Sequence, residues 1–149
     1  MTVILNGDRR LESQVNSLYQ ANYTQARVYP TLAAGATVIS ANADWVLGAF
    51  ATLIPAATVT SAYHISSIAV ETCNVVTAVF ELAIYYGDTD TLMSTVRFSI
   101  AGGFWGNSVY LVPSVTIQAN ARVRIKLASS DGLANPATLT VSAIYRLLE

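Results

Sequence analysis

Along most of this chain apolar and polar residues alternate with a period of two, the spacing of side chains that point to opposite faces of a β-strand. The pattern is clearest near the C-terminus, where Val123, Ile125 and Leu127 alternate with Arg122, Arg124 and Lys126, as in a strand with one buried and one wet face. After the turn Ser129-Ser-Asp131-Gly132, Leu139, Val141, Ala143, Tyr145 and Leu147 alternate with Thr138, Thr140, Ser142, Ile144 and Arg146. Upstream, the same reading predicts strands over residues 36–40, 45–54, 62–72, 76–86, 92–100 and 107–112. A phase slip between Ile65 and Ile68 predicts a bulge. Val76, Ala78, Phe80, Leu82, Ile84 and Tyr86 share one face of a strand with few charges on either side, which places it centrally in a sheet. Leu92, Ser94, Val96, Phe98 and Ile100 share a face of the next. Asn42-Ala-Asp44, Gly87-Asp88-Thr-Asp90, Ala101-Gly102-Gly103 and Pro113 supply the turns. No segment after Pro30 keeps helical periodicity, so residues 31–149 are expected to form an all-β domain, an antiparallel β-sandwich or jelly roll of about eight strands.

Residues 1–30 differ and are set apart as an N-terminal helical or extended arm. Leu11, Val15 and Leu18 recur at spacings of four and three, which lines a short apolar stripe on a helix, with Asp8 placed to cap it. Asn22 interrupts any continuing coiled-coil seam. Such a stripe packs either on its own domain or on a neighbouring subunit or larger surface. Within the body, Leu53-Ile-Pro55-Ala-Ala-Thr58-Val59 echoes Leu111-Val-Pro113-Ser-Val-Thr116-Ile117, and both prolines end a strand because a ring nitrogen cannot donate to the ladder.

Composition adds a second constraint. Apolar residues make up 53% of the 149 positions and charged residues 11%. A domain of this length buries about 68–70% of the surface of its unfolded chain, so a share of that apolar surface is left for other protein to cover. Eight basic and nine acidic side chains give a net charge of −1, grouped only as Arg9-Arg10 and the run Arg122, Arg124, Lys126, which reads as a solvated strand face. That is no footprint for direct nucleic-acid binding. Cys73 is the only cysteine, so no intrachain disulfide forms, and it reads as a small buried apolar residue. The start of the chain has no signal-peptide core, and no run of about 18 apolar residues offers a membrane span. Trp45 to Ala57 reads as a buried strand with its exit turn. Synthesis and assembly in the cytoplasm are expected.

No catalytic constellation emerges. His64 is the only histidine and reads as a hydrogen-bonded structural residue, and one His with one Cys makes no zinc site. Asp88 and Asp90 read as a solvated turn, because calcium takes about six to eight oxygen ligands. Glu71 and Glu81 are expected to pair with arginines. The glycines Gly102, Gly103 and Gly106 match no phosphate-binding pattern. No enzyme activity, metal or cofactor is expected. Among the aromatics, Trp45, Tyr63, Tyr85, Tyr86 and Tyr110 read mostly as core, while Phe104 and Trp105, set among glycines, read as an interface anchor or a ligand platform.

The runs Trp45-Val-Leu-Gly-Ala-Phe50-Ala-Thr-Leu-Ile-Pro55-Ala, Phe80-Glu-Leu-Ala-Ile-Tyr85-Tyr-Gly87, Val96-Arg97-Phe98 and Ala119-Asn120-Ala-Arg122-Val-Arg-Ile-Lys126-Leu-Ala-Ser-Ser130 resemble the small auxiliary capsid proteins of tailed bacteriophages, the decoration or cement proteins. The resemblance spans residues 36–147 and is one of strand sequence. It implies a β-sandwich homotrimer on the outside of the head, in contact with the major capsid protein and itself. The arm, through Leu11, Val15 and Leu18, is then expected to dock on the capsid or a sister copy. The alternatives are a receptor- or carbohydrate-binding module of a virion fibre and a single-jelly-roll shell protein.

Overall fold

The structure, a computed structural model, describes residues 25–31, 34–103 and 108–148. Nine strands account for the regular structure among them: β1 (Arg27–Tyr29), β2 (Ala36–Ile39), β3 (Ala51–Ile54), β4 (Tyr63–Cys73), β5 (Ala78–Tyr86), β6 (Thr91–Ile100), β7 (Ser108–Leu111), β8 (Val123–Ser129) and β9 (Thr138–Leu147). One antiparallel sheet has the order β1-β9-β4-β7, with β2 joining β1 on the same edge of β9, and the other has the order β3-β8-β5-β6. Setting β1 aside, the chain changes sheet at every connection except the β5–β6 hairpin, in the order of two Greek keys, which is the jelly-roll form of the sandwich.

The two-residue period explains which side chains meet. Phe80, Leu82 and Ile84 of β5, Val123, Ile125 and Leu127 of β8, Ile65, Ile68 and Val70 of β4, and Leu139, Val141 and Ala143 of β9 are all fully buried between the sheets. Aromatic pairs stitch the layer: Phe80 and Phe98 lie 5.4 Å apart, and Phe98 stacks on Tyr110 of the opposite sheet at 4.5 Å. The predicted bulge in β4 is present, as register shifts at Ile65/Ser67 and again at Val70/Thr72.

The two echoing proline segments are the two crossovers, β3 to β4 and β7 to β8. They run side by side, with Ala57 N–H donating to Asn120 O, Asn120 N–H to Val59 O, and Tyr63 and Ile117 exchanging both backbone bonds at 2.9 Å. The likeness in sequence thus serves one structural task, closing the same end of the sandwich twice.

Several expectations are corrected. β1 is too short and too exposed to show a pattern, and it pairs with β9 inside the stretch assigned to the arm. Regular pairing in β3 begins only at Ala51. Before it, Trp45 adopts φ 59° and Gly48 presses against the Ile39 carbonyl, so the edge of β8 is met by an irregular segment through Trp45 N–H to Ser129 O and Gly48 N–H to Leu127 O. Val76 precedes its strand and is 62% exposed. A register shift between Ile84 and Tyr85 sets Leu92 opposite Tyr85, which turns Leu92 out of the core. Leu11, Val15 and Leu18 lie outside the described residues.

Truncating Phe80 to alanine is expected to cost about 3–5 kcal/mol in denaturant unfolding, the usual loss for emptying an aromatic site in a packed core. Gly48→Ala is expected to destabilise as well, because the added Cβ would stand 2.1 Å from the backbone oxygen of Ile39. A melting temperature equal to that of the parent for either variant would contradict the packing described.

Candidate interaction faces of the sandwich

Burying one side of each strand leaves the other side to define two outward faces, and the cross-strand register says what each carries. On the four-stranded sheet one row reads Arg97, Glu81 and Ala128, the next Thr95, Ala83 and Lys126, and the third Leu92, Tyr85, Arg124 and Thr52. Alternation in β8 therefore does what its sequence predicts and points Arg124 and Lys126 away from the core.

This face is organised by charge and rings together. Glu81 receives Arg97 Nη2 at 2.7 Å. Asp90, from the β5–β6 turn, accepts a two-point bond from Arg124, with Nε at 2.8 Å from Oδ1 and Nη2 on Oδ2. Arg122 adds its Nη2 at 3.4 Å and ties the same turn through the carbonyls of Gly87 and Asp88. Asp90 is therefore an ionic hub, not the solvated turn residue expected, and its φ of 53° is one that Asp tolerates. The hydrogen bond from Arg124 is the largest cause holding its carboxyl below the usual range; desolvation opposes it and the charges of Arg122, Arg124 and Lys126 add to it.

The rings sit on those cations. The Arg124 guanidinium lies 3.9 Å and the Lys126 ammonium 4.2 Å from the centre of Phe50, whose ring meets Tyr85 edge-on at 5.1 Å. Trp45 reaches from the end of β8 to Arg97 on β6, 5.3 Å from its ring, over the row that holds Ala128 and Glu81. Trp45 is 48% exposed, which corrects the buried strand expected there. A tryptophan in the left-handed region carries about 1–3 kcal/mol of strain, and such strain persists only where the surroundings or a function hold it.

The outward face of the other sheet is nearly free of charge. Val28, Ile144, Ser67 and Leu111 form one row across its strands, and Ser142, Ala69 and Val109 the next. Leu111 is 83% and Val109 56% exposed, both on edge strand β7. Charged and titratable side chains stand at the two ends: Glu71 at one, bonded by Ser142 Oγ and, among the described residues, not by the arginine expected, and His64 and Arg146 at the other. His64 Nε2 lies 3.2 Å from Thr116 Oγ1, in keeping with a structural histidine.

Other candidates do not gather. A hollow of about 460 Å³ between the β4–β5 turn and the 131–137 loop is lined by Asn74, Val75, Val76, Thr77, Ala134, Asn135 and Pro136. Its amides are used to close the loops: Asn74 Oδ1 accepts from Thr138 N–H at 2.6 Å, and Asn135 Nδ2 donates to Asp131. Among the described residues there is no group of three or more His, Cys, Asp or Glu able to hold a metal ion. Cys73 is half-buried, and burial pushes its thiol up. Phe104 and Trp105 lie outside the described residues. The cationic face was visible in the β8 alternation, but the rings that complete it come from an irregular segment that no periodicity marks.

No family model and no curated protein matches this chain. Among solved structures, it is similar to a chain of the infectious bursal disease virus Gx strain structure, with TM-score 0.38 and 15% identity over 83% of this chain and 33% of that one. It is also similar to an arabinose-bound α-L-arabinofuranosidase, with TM-score 0.39 and 8% identity over 83% of this chain and 22% of that one. The chain thus spans a third or less of either structure's length.

Two pH dependences follow. Asp90 has a lowered pKa in the fold, so its contribution is present above the ordinary carboxylate range and is lost as pH falls through the folded value. Asp90→Asn, which keeps the backbone conformation accessible, is expected to lower the melting temperature at neutral pH and to flatten the acid limb of its pH profile. Tyr63 is pushed up to about 12 by burial first and by Tyr145 second, with its hydroxyl donating to Ala121 O at 3.2 Å. A phenol raised above its ordinary 10.0 holds its proton in the folded state, so stability falls as pH climbs from there toward about 12. Ultraviolet titration is expected to show one tyrosine ionising only as the protein unfolds; its early ionisation in the folded protein would contradict this.

Proposed function

We propose that this chain is a structural virion protein that decorates the outer surface of a tailed-phage head as a homotrimer and cements neighbouring capsomers. The sequence resemblance over residues 36–147 supports the reading. The observation that carries it is the nearly uncharged outward face of the five-stranded sheet, where Val28, Val109 and Leu111 project along its edges from a sandwich whose core is already filled. Exposed branched apolar side chains of this kind suit contact with sister copies. Multivalency then supplies the holding power, because three tied copies bind a symmetric lattice far more tightly than one without strong single contacts. On this reading the protein is made in the host cytoplasm, works at the capsid surface as no enzyme, and needs no cofactor, nucleic acid or membrane. The arm, with Leu11, Val15 and Leu18, is assigned a capsid or sister contact.

A second reading, a single-jelly-roll shell protein, draws on the strand order, since that topology also serves in capsid shells. A carbohydrate platform gains less, because the described exposed rings, Trp45 and Phe50, already carry cations on a face.

Light scattering is expected to give three times 15.9 kDa, and Leu111→Ser or Val109→Asp to shift the mass toward the monomer. Removing residues 1–24, which spares β1, is expected to leave a folded sandwich that no longer occupies heads by electron microscopy. A parent chain that stays monomeric at high concentration would overturn the trimer, and closed shells formed by the chain alone would favour the second reading.

A further inference from the structure

We propose that the outward face of the four-stranded sheet docks on a protein surface that presents carboxylates among apolar side chains, with Trp45 and Phe50 as anchors and Lys126 as the ion-pairing group. The proposal rests on the decoration reading, in which that surface belongs to the head shell, and it names the face that meets it.

Charge is the first argument. Arg97, Arg122, Arg124 and Lys126 are half of the chain's eight Lys and Arg, and they share the face or its rim with Glu81, Asp88 and Asp90 of nine acidic residues. The remainder of the chain is correspondingly acidic. Glu81 engages Arg97, and Asp90 engages Arg122 and Arg124. Among the described residues no carboxylate forms an ion pair with Lys126, whose ammonium rests on Phe50. A carboxylate brought by a partner completes that position.

Rigidity is the second. Trp45 and Phe50 are held by Arg97, Arg124 and Tyr85, so they lose little freedom on contact, and Trp, Tyr and Arg are the residues that anchor protein interfaces. The guanidinium and ammonium groups already occupy ring faces that stacked bases would need. A surplus of one cation is also small for counterion release, which favours a protein over a nucleic acid. Trp45 itself stands at φ 59°, a conformation that glycine would adopt freely, so its indole is kept against the backbone's preference.

That last fact gives the test. In the full chain Trp45→Gly relieves the backbone while deleting the anchor, so the melting temperature is expected to hold or rise while affinity for heads stripped of the protein falls about tenfold or more. Lys126→Gln is expected to weaken binding several-fold and to reduce its dependence on salt between about 0.05 and 0.5 M. Val115→Thr, on a crossover away from the face, serves as the control and is expected to bind as the parent does. Both face variants are expected to keep the parent's oligomeric mass. Parent-like binding by both face variants would overturn the proposal and leave the decoration reading standing; failure of the parent itself to bind heads would overturn both. A face variant that falls to monomers would assign the face to sister copies, and parent binding to a labelled oligo-dT, lost in Lys126→Gln, would assign it to nucleic acid; either result overturns the proposal.

Discussion

Everything in this molecule depends on the packing of two sheets across a single apolar layer. Each strand can give only alternate residues to that layer, and the layer is filled by Phe80, Leu82, Ile84, Ile125, Leu127, Ile65, Ile68 and Leu139, all fully buried. Once it is full, the remaining apolar residues have nowhere inside to go. A chain with 53% apolar content therefore carries Leu111, Val109, Ile39, Val46 and Trp45 on its outside as a consequence of geometry. The same layer dictates the crossovers, which must change sheet at the ends of strands, and the two proline segments do this side by side.

Strand β8 shows how one alternation serves two ends. Its inward residues Val123, Ile125 and Leu127 complete the core, and its outward residues work on the neighbouring turn and the neighbouring rings. Arg124 pairs with Asp90 and sets the same guanidinium over the Phe50 ring. The β5–β6 turn is thereby fastened to a strand that is not its sequence neighbour, and an aromatic ring is fixed in place by the same side chain. The planar, always-charged guanidinium suits both contacts at once, which a lysine ammonium does not.

How much of this was legible in the sequence follows from what period two can report. It marks long strands with one wet face, so β4, β5, β6, β8 and β9 were readable, as was the slip at Ile65 that the bulge explains. It is silent on β1, three residues long with a largely exposed pattern, and on the approach to β3, where the positive φ of Trp45 and the tight passage of Gly48 break the alternation. It misleads at Leu92, whose apolar phase is undone by a register shift in its partner strand. The candidate faces were legible only in part. Arg122, Arg124 and Lys126 were visible as a face, but their union with Asp90, Phe50 and Trp45 is a tertiary fact, made by segments some 30 to 80 residues apart in sequence.

The two outward faces differ in a way that the core does not require. Either sheet would pack equally well with mixed polar residues outside, yet one exterior is nearly uncharged from Val28 to Leu111 and the other gathers half of all the cations with two exposed rings. Solubility alone favours interspersed charge, and segregating it costs the protein the screening that mixed signs provide. A molecule that touches one kind of partner needs one special surface. Two surfaces of unlike chemistry, back to back on one rigid layer, suit the proposed placement between unlike partners, copies of itself on the neutral side and a carboxylate-bearing surface on the basic side. On the proposed reading the rigidity of the layer matters, because it fixes the distance and angle between the two contacts, as a ring of copies matching a repeating lattice would require.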